Sequence, residues 1–170
     1  MNLAVYPSAK CFLRANIAED LRRVQDDLSK IGLGLKVWDA YRPLSVQRTL
    51  WDMTTDKQYV ADPYGKGSNH NRAAAIDLTL IHLDTKLELE MPTSFDEFTT
   101  RAHSDSTVEE HGITEKSIEN RSLLNEYMSR HHFHQLPDEW WHFNYQDCES
   151  YDLLDIDFDK IITAKGAKVV

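Results

Sequence analysis

The segment Ala75-Ile-Asp77-Leu-Thr-Leu-Ile81 constrains this chain more than any other stretch. A short apolar run of this length, entered from loop chemistry at Asp62-Pro-Tyr-Gly-Lys-Gly-Ser-Asn69 and followed by turn residues at Leu83-Asp-Thr-Lys86, reads as a β-strand. A carboxylate stands in its middle. Burying Asp77 is costly unless it is paired or binds a metal; the alternative is an exposed strand position or a hydrogen bond to a turn.

The rest of the chain builds around that strand. Ile17, Leu21, Val24, Leu28 and Ile31 recur at helical spacing, with Gly32 as a C-terminal stop. Leu35-Lys-Val-Trp-Asp-Ala-Tyr41 alternates as a strand and runs into Arg42-Pro43. A residue before proline is held extended, so Arg42 projects from a strand end with little backbone freedom. Pro43 suits the first turn of a helix carrying Leu44, Val46, Leu50 and Met53. A hairpin turn at Leu83–Lys86 leads to a weaker strand, Leu87–Met91; residues 92–113 are polar and irregular. Thr114 caps a helix bearing Ile118, Leu123, Leu124, Tyr127 and Met128, and Trp140-Trp-His-Phe-Asn-Tyr145 is an aromatic strand. Helices and strands mix without a βαβ rhythm. The expectation is one α+β domain over residues 1–170, with a small, mainly antiparallel sheet flanked by helices.

Charge removes several classes of partner. The 28 Asp and Glu against 19 Lys and Arg leave a formal net charge of −9, which repels phosphate backbones and anionic membrane surfaces. No basic block with interleaved aromatics argues for nucleic acid, and no run approaches the ~18 apolar residues of a membrane span. The opening residues lack the basic start of a signal peptide, so the expected compartment is the cytoplasm, or the periplasm if a leader is removed. Cys11 and Cys148 form no CxxC pair and are expected as two free thiols. Charge does not reveal the oligomeric state.

Walker A, GxGxxG, GxSxG and HExxH signatures are absent, as is His-x-Glu with a downstream CxxC. Of the eight histidines, His82, His103, His111, His131, His132 and His134 are expected at the surface. His70 sits where the glycine-containing loop enters the strand of Asp77. In Glu139-Trp140-Trp141-His142, strand alternation turns Trp140, His142 and Asn144 to one face, and Trp141, Phe143 and Tyr145 toward the core. Each cluster alone is also compatible with plain packing. Together they offer two imidazoles and one carboxylate, a ligand set that Zn²⁺ takes in catalytic sites with a fourth position left for water. The spare carboxylate of Glu139 could move a proton, and Arg42 could stabilise an oxyanion.

The same residues resemble a known family. Ser68-Asn-His70-Asn-Arg-Ala-Ala-Ala75-Ile-Asp77 is similar to the Ser-x-His-x-x-Gly-x-Ala-x-Asp signature of VanX-type D-alanyl-D-alanine dipeptidases. Glu139-Trp-Trp-His142 resembles the family's Glu-x-x-His, and Tyr41-Arg-Pro43 its strand-end Tyr-Arg-Pro. The three occur in the family's order, and the likeness runs from about residue 6 to about residue 158. It implies one Zn²⁺ per chain on His70, Asp77 and His142, Glu139 as general base and acid, and Arg42 as oxyanion stabiliser. It also implies that Asp96, in Phe95-Asp96, anchors the substrate's ammonium, and that Ser68 lies in the substrate pocket. The implied activity is hydrolysis of the free dipeptide D-Ala-D-Ala, on the fold shared with D-Ala-D-Ala carboxypeptidases and the hedgehog signalling domain. The rival expectations are a zinc carboxypeptidase or wall endopeptidase acting on longer peptides, and a zinc-holding module without catalysis. Two departures stand out. Ala73 occupies the family's glycine position, and the N-terminal segment of longer relatives is expected to be lacking. Trp38, Trp51, Trp141 and Phe143 are expected in the core, and Asp152–Asp159 as a solvated acidic edge.

Overall fold

The structure, a computed structural model, describes residues 6, 8–109 and 112–163. Residues 1–5 of the opening stretch, and His111, lie outside the described residues. Helix α1 (Ala15–Ser29) buries Ile17, Leu21, Val24 and Leu28 at the expected spacing. It stops two residues short of Ile31, which is 49% exposed, and Gly32 at φ +77° turns the chain into β1 (Leu33–Asp39). Strand β1 ends at Asp39, short of the expected Tyr41. There the backbone changes partners: Tyr41 N donates to Phe12 O and Arg42 N to His70 O.

Helix α2 (Leu44–Met53) starts directly after Pro43, which stands as its N-cap with ψ 143°. Its one buried residue is Gln47, while Met53 is exposed. The expected apolar stripe is therefore only half-buried, because this helix turns an amide inward toward Arg42. Strand β2 (Ala75–His82) agrees with expectation and is buried from Ala75 to Leu80. Beyond the turn at Leu83, the second arm of the expected hairpin shrinks to one bridge, Ile81 to Glu88. Past that bridge, Asn120 Nδ2 donates to the Glu90 carbonyl and Thr114 Oγ1 to the Glu90 carboxylate. Helix α3 (Glu115–Ser129) begins at Thr114 in a capping box with Ser117.

Two strands follow, β3 (Phe133–Leu136) and β4 (Glu139–Tyr145), and the last helix is α4 (Phe158–Thr163). Strand β3 was not anticipated. The sheet order is β1-β2-β4-β3 with every neighbouring pair antiparallel, so the α+β reading holds. Ile76, Leu78 and Leu80 join the apolar faces of α1 and α3 in the main core, and by alternation Asp77 points to the opposite face. Both Trp140 and Trp141 are buried, with Trp140 Nε1 donating to Thr93 Oγ1 at 2.8 Å. Trp141 and Phe143 are core as expected, and Trp38 packs against the core's edge. Trp51 belongs to neither core cluster; it is half-buried, with Lys57 over its ring.

Residues 152–157 form no regular element, and their acids are exposed as expected of a solvated edge. Cys11 and Cys148 are free thiols. Among the described residues no helix is long and apolar enough to cross a membrane.

Candidate metal centre

Sheet register assembles the site. Asp77 in β2 lies opposite Asp39 of β1 on one side and His142 of β4 on the other. Directly opposed residues share a face, so three polar side chains from three strands line one row. The fourth comes from the 3-10 turn Asn69–Arg72, which leads into β2 and carries His70. Ser68 caps that turn: its hydroxyl accepts from His70 N, and its own N–H donates to Asn71 Oδ1 at 2.8 Å. Ala73 closes the turn at φ 55°, ψ 36°, so the family's glycine position does require a left-handed backbone.

The turn is zipped to the end of β1. His70 Nδ1 meets Ala40 O at 2.7 Å, Arg42 N donates to His70 O, and Asn71 Nδ2 donates to Arg42 O at 2.8 Å. His70, Asp77 and His142 are only 3%, 5% and 8% exposed. His70 Nε2 and His142 Nδ1 are 3.1 Å apart. Asp77 places Oδ1 2.9 Å from His142 Nδ1 and Oδ2 3.3 Å from His70 Nε2. These three residues are a group able to hold a metal ion. Burial alone would raise the Asp77 carboxyl, but His70 and His142 outweigh it and hold Asp77 well below the usual carboxylate range.

The far nitrogen of each ring is occupied. His70 Nδ1 faces a carbonyl, which only accepts, and His142 Nε2 faces Asn144 Oδ1 at 3.0 Å. With both far nitrogens donating, Nε2 of His70 and Nδ1 of His142 each present a lone pair to the same point, beside an anionic carboxylate. A donor set of two lone pairs and a carboxylate with no proton among them is completed by a cation.

Glu139, the first residue of β4, is half-buried. Burial raises its carboxyl above the ordinary value, opposed by His142 and reinforced by Asp77. Arg42 is fixed more firmly than its Arg-Pro context foretold. Its Nε and Nη2 donate to Asp39 Oδ2 at 3.0 and 2.5 Å, and Nη1 donates to Gln47 Oε1 at 2.8 Å. Gln47 Nε2 in turn donates to Ala61 O, and Tyr6 OH to Asp39 Oδ1 at 2.7 Å. Burial would lower the Arg42 pKa, but Asp39 outweighs it, so the guanidinium stays charged. Asp96 lies exposed at φ 60° on the loop where Phe95 stacks on Trp38. The protein around it, reinforced by Asp77, pushes its carboxyl up to about 6.

Sequence reasoning gives Asp39, Gln47, Asn69 and Asn144 no role in the site. A glutamine inside an otherwise apolar helical stripe was the available signal for Gln47. Asn144 was placed on the His142 face without a role. Of the other histidines, half-buried His131 pairs with Asp27 at 2.9 Å, and His132, exposed as expected, pairs with Asp20 at 3.0 Å.

Buried imidazole and carboxylate side chains able to hold a metal, a neighbouring carboxylic acid of raised pKa and a fixed guanidinium are parts that a metal-dependent hydrolase uses. The sequence matches the peptidase M15 family model, described as D-ala-D-ala dipeptidase, over residues 2–161, and the chain belongs to that family of hydrolytic peptidases. It is 36% identical to the D-alanyl-D-alanine dipeptidase of Escherichia coli K12, over 94% of this chain and 80% of that protein. It is 33% identical to the enzyme of the same name from Enterococcus faecalis V583, over 77% of this chain and 71% of that protein. A solved structure of the vancomycin-resistance D,D-pentapeptidase VanY, in complex with Zn(II), covers 81% of this chain and 74% of that one at 18% identity and TM-score 0.48.

Proposed function

We propose that this chain is a single-domain, zinc-dependent dipeptidase hydrolysing free D-alanyl-D-alanine, with one Zn²⁺ held by His70, Asp77 and His142. The observation that carries the metal reading is the spacing of the three ligands. Tetrahedral Zn²⁺ holds N and O ligands at about 2.0–2.1 Å, which puts them about 3.3 Å from one another. The two imidazole nitrogens are 3.1 Å apart, and the Asp77 carboxylate sets Oδ1 2.9 Å from one and Oδ2 3.3 Å from the other, close to that spacing. The substrate reading is supported by relatives named for this dipeptide.

When bound, Zn²⁺ polarises the scissile carbonyl and lowers the pKa of water toward neutrality. The chain's own groups do the rest. Glu139, raised by burial, takes a proton from the attacking water and returns it to the leaving amine nitrogen. Arg42, held by Asp39 and Gln47, presents a permanent positive charge to the oxyanion. Asp96 holds the substrate's free ammonium, and Ser68, beyond capping the His70 turn, contacts the dipeptide's polar atoms.

Hydrolysis of D-Ala-D-Ala should stop on chelation and return with Zn²⁺. Glu139→Gln should lower kcat by about 10²–10⁴ with zinc content unchanged. Faster cleavage of the N-acylated dipeptide than of the free one would overturn the substrate assignment in favour of a carboxypeptidase. Stoichiometric zinc with no hydrolysis of any D-Ala peptide would leave a binding module.

A further inference from the structure

We propose that Asn144, held by Asn69, is a positioning residue that sets both the ring orientation and the proton position of His142. The inference rests on the metal reading given above. Asn144 stands two residues after His142 in β4, so both side chains leave the same face of the strand. Its Oδ1 receives His142 Nε2 at 3.0 Å and Asn69 Nδ2 at 2.9 Å. Asn69 opens the 3-10 turn that carries His70. One side-chain oxygen therefore ties the turn bearing one ligand to the strand bearing another.

The two imidazoles are held differently. His70 leans on the Ala40 carbonyl, which has no donor end and admits one tautomer. His142 leans on a carboxamide, and a carboxamide can present either its oxygen or its NH₂. A reversed Asn144 would donate to His142 Nε2. The ring proton would then sit on Nδ1, the nitrogen that faces Asp77 and His70, where it competes with a metal ion. Asn69 Nδ2 donates to the Asn144 oxygen, and with that bond made the pair keeps the oxygen turned toward His142. The Asn69 side chain thus acts on His142 through a second amide, that of Asn144.

The test measures Zn²⁺ affinity by competition with a chromophoric chelator, and the visible spectrum of the Co²⁺-loaded protein, with the melting temperature of each metal-free variant recorded alongside. Asn144→Ala should weaken Zn²⁺ binding about 10–100-fold and alter the Co²⁺ bands. Asn144→Asp, an acceptor only, should keep the affinity within a few-fold of the parent or improve it, and should keep the parent Co²⁺ spectrum. The Asn69 pair separates positioning from charge. An aspartate at position 69 adds a negative charge that by itself attracts a cation. As an acceptor it also reverses the Asn144 amide, so Asn69→Asp should bind Zn²⁺ more weakly than Asn69→Ala. Parent-like affinity in Asn144→Ala, or tighter binding in Asn69→Asp than in Asn69→Ala, would overturn the inference and leave the function reading intact. A parent protein that binds no Zn²⁺ would overturn both.

Discussion

Ala73 illustrates how opposing terms settle at one residue. An L-residue in the left-handed region costs about 1–2 kcal/mol, and here the backbone has φ 55°. Glycine would relieve that strain but lose about 0.5–1 kcal/mol through its greater freedom in the unfolded chain. It would also forfeit a buried methyl worth about 0.8 kcal/mol, since Ala73 packs with Phe12, Tyr41 and Phe158. The sums nearly cancel, so Ala73→Gly should change the free energy of unfolding in urea by less than about 1 kcal/mol. Asp96 gives the second residue-scale prediction. With a pKa raised to about 6, its carboxyl is anionic above that value and loses its charge below it. The KM for the free dipeptide should be flat at neutral pH and rise as pH falls through about 6. Asp96→Asn should raise KM roughly tenfold or more at neutral pH and abolish the rise, as steady-state kinetics across pH would report.

Among the elements, α2 departs furthest from its sequence pattern, and the departure is informative. Its buried face is the Gln47 amide, bridging the Arg42 guanidinium to the Ala61 carbonyl. Gln47→Leu preserves bulk but removes the buried acceptor of the Arg42 guanidinium and the donor to the Ala61 carbonyl. The expected result is a stability loss of about 1–3 kcal/mol in urea titrations. A roughly tenfold fall in kcat with KM little changed should accompany it, because the oxyanion role proposed for Arg42 acts in the transition state. Strand β3 is instructive in another way. Its sequence, Phe133-His-Gln-Leu136, has a single fully buried residue, and it becomes a strand by pairing with β4. Propensity carries little of that information; the neighbour carries it.

At the scale of the whole molecule, α1 and the end of α3 are joined through acids rather than apolar contact alone. Buried Asp20 accepts from Tyr145 OH at 2.8 Å, from His132 Nδ1 and from Arg23. Burial would raise the Asp20 carboxyl, but the hydrogen bonds from Tyr145 and His132 outweigh it and lower it below the ordinary 3.8. A carboxyl with a depressed folded pKa contributes stability that is complete above its unfolded value and fades as pH falls through the folded one. The melting temperature should therefore hold from neutral pH to about 5 and fall below 3.8. Asp20→Asn should lower it at neutral pH and flatten that acid-side decline.

The fold class, three of the four strands and the three long helices were legible because each carries its own periodicity or cap. So was the grouping of His70, Asp77 and His142, because a carboxylate inside an apolar strand and an imidazole inside an aromatic one are expensive without a shared purpose. The sequence by itself thus determined which residues must find partners. Only the tertiary structure decided who those partners are. Antiparallel register sets Asp39, Asp77 and His142 in one row, and the turn at Ala73 delivers His70 to it. The helix after Pro43 brings Gln47 onto Arg42, and Asn69 meets Asn144 across 75 residues of chain. Hydrogen bonds of this kind depend on distances of a few tenths of an ångström between segments remote in sequence, and no local pattern encodes that precision.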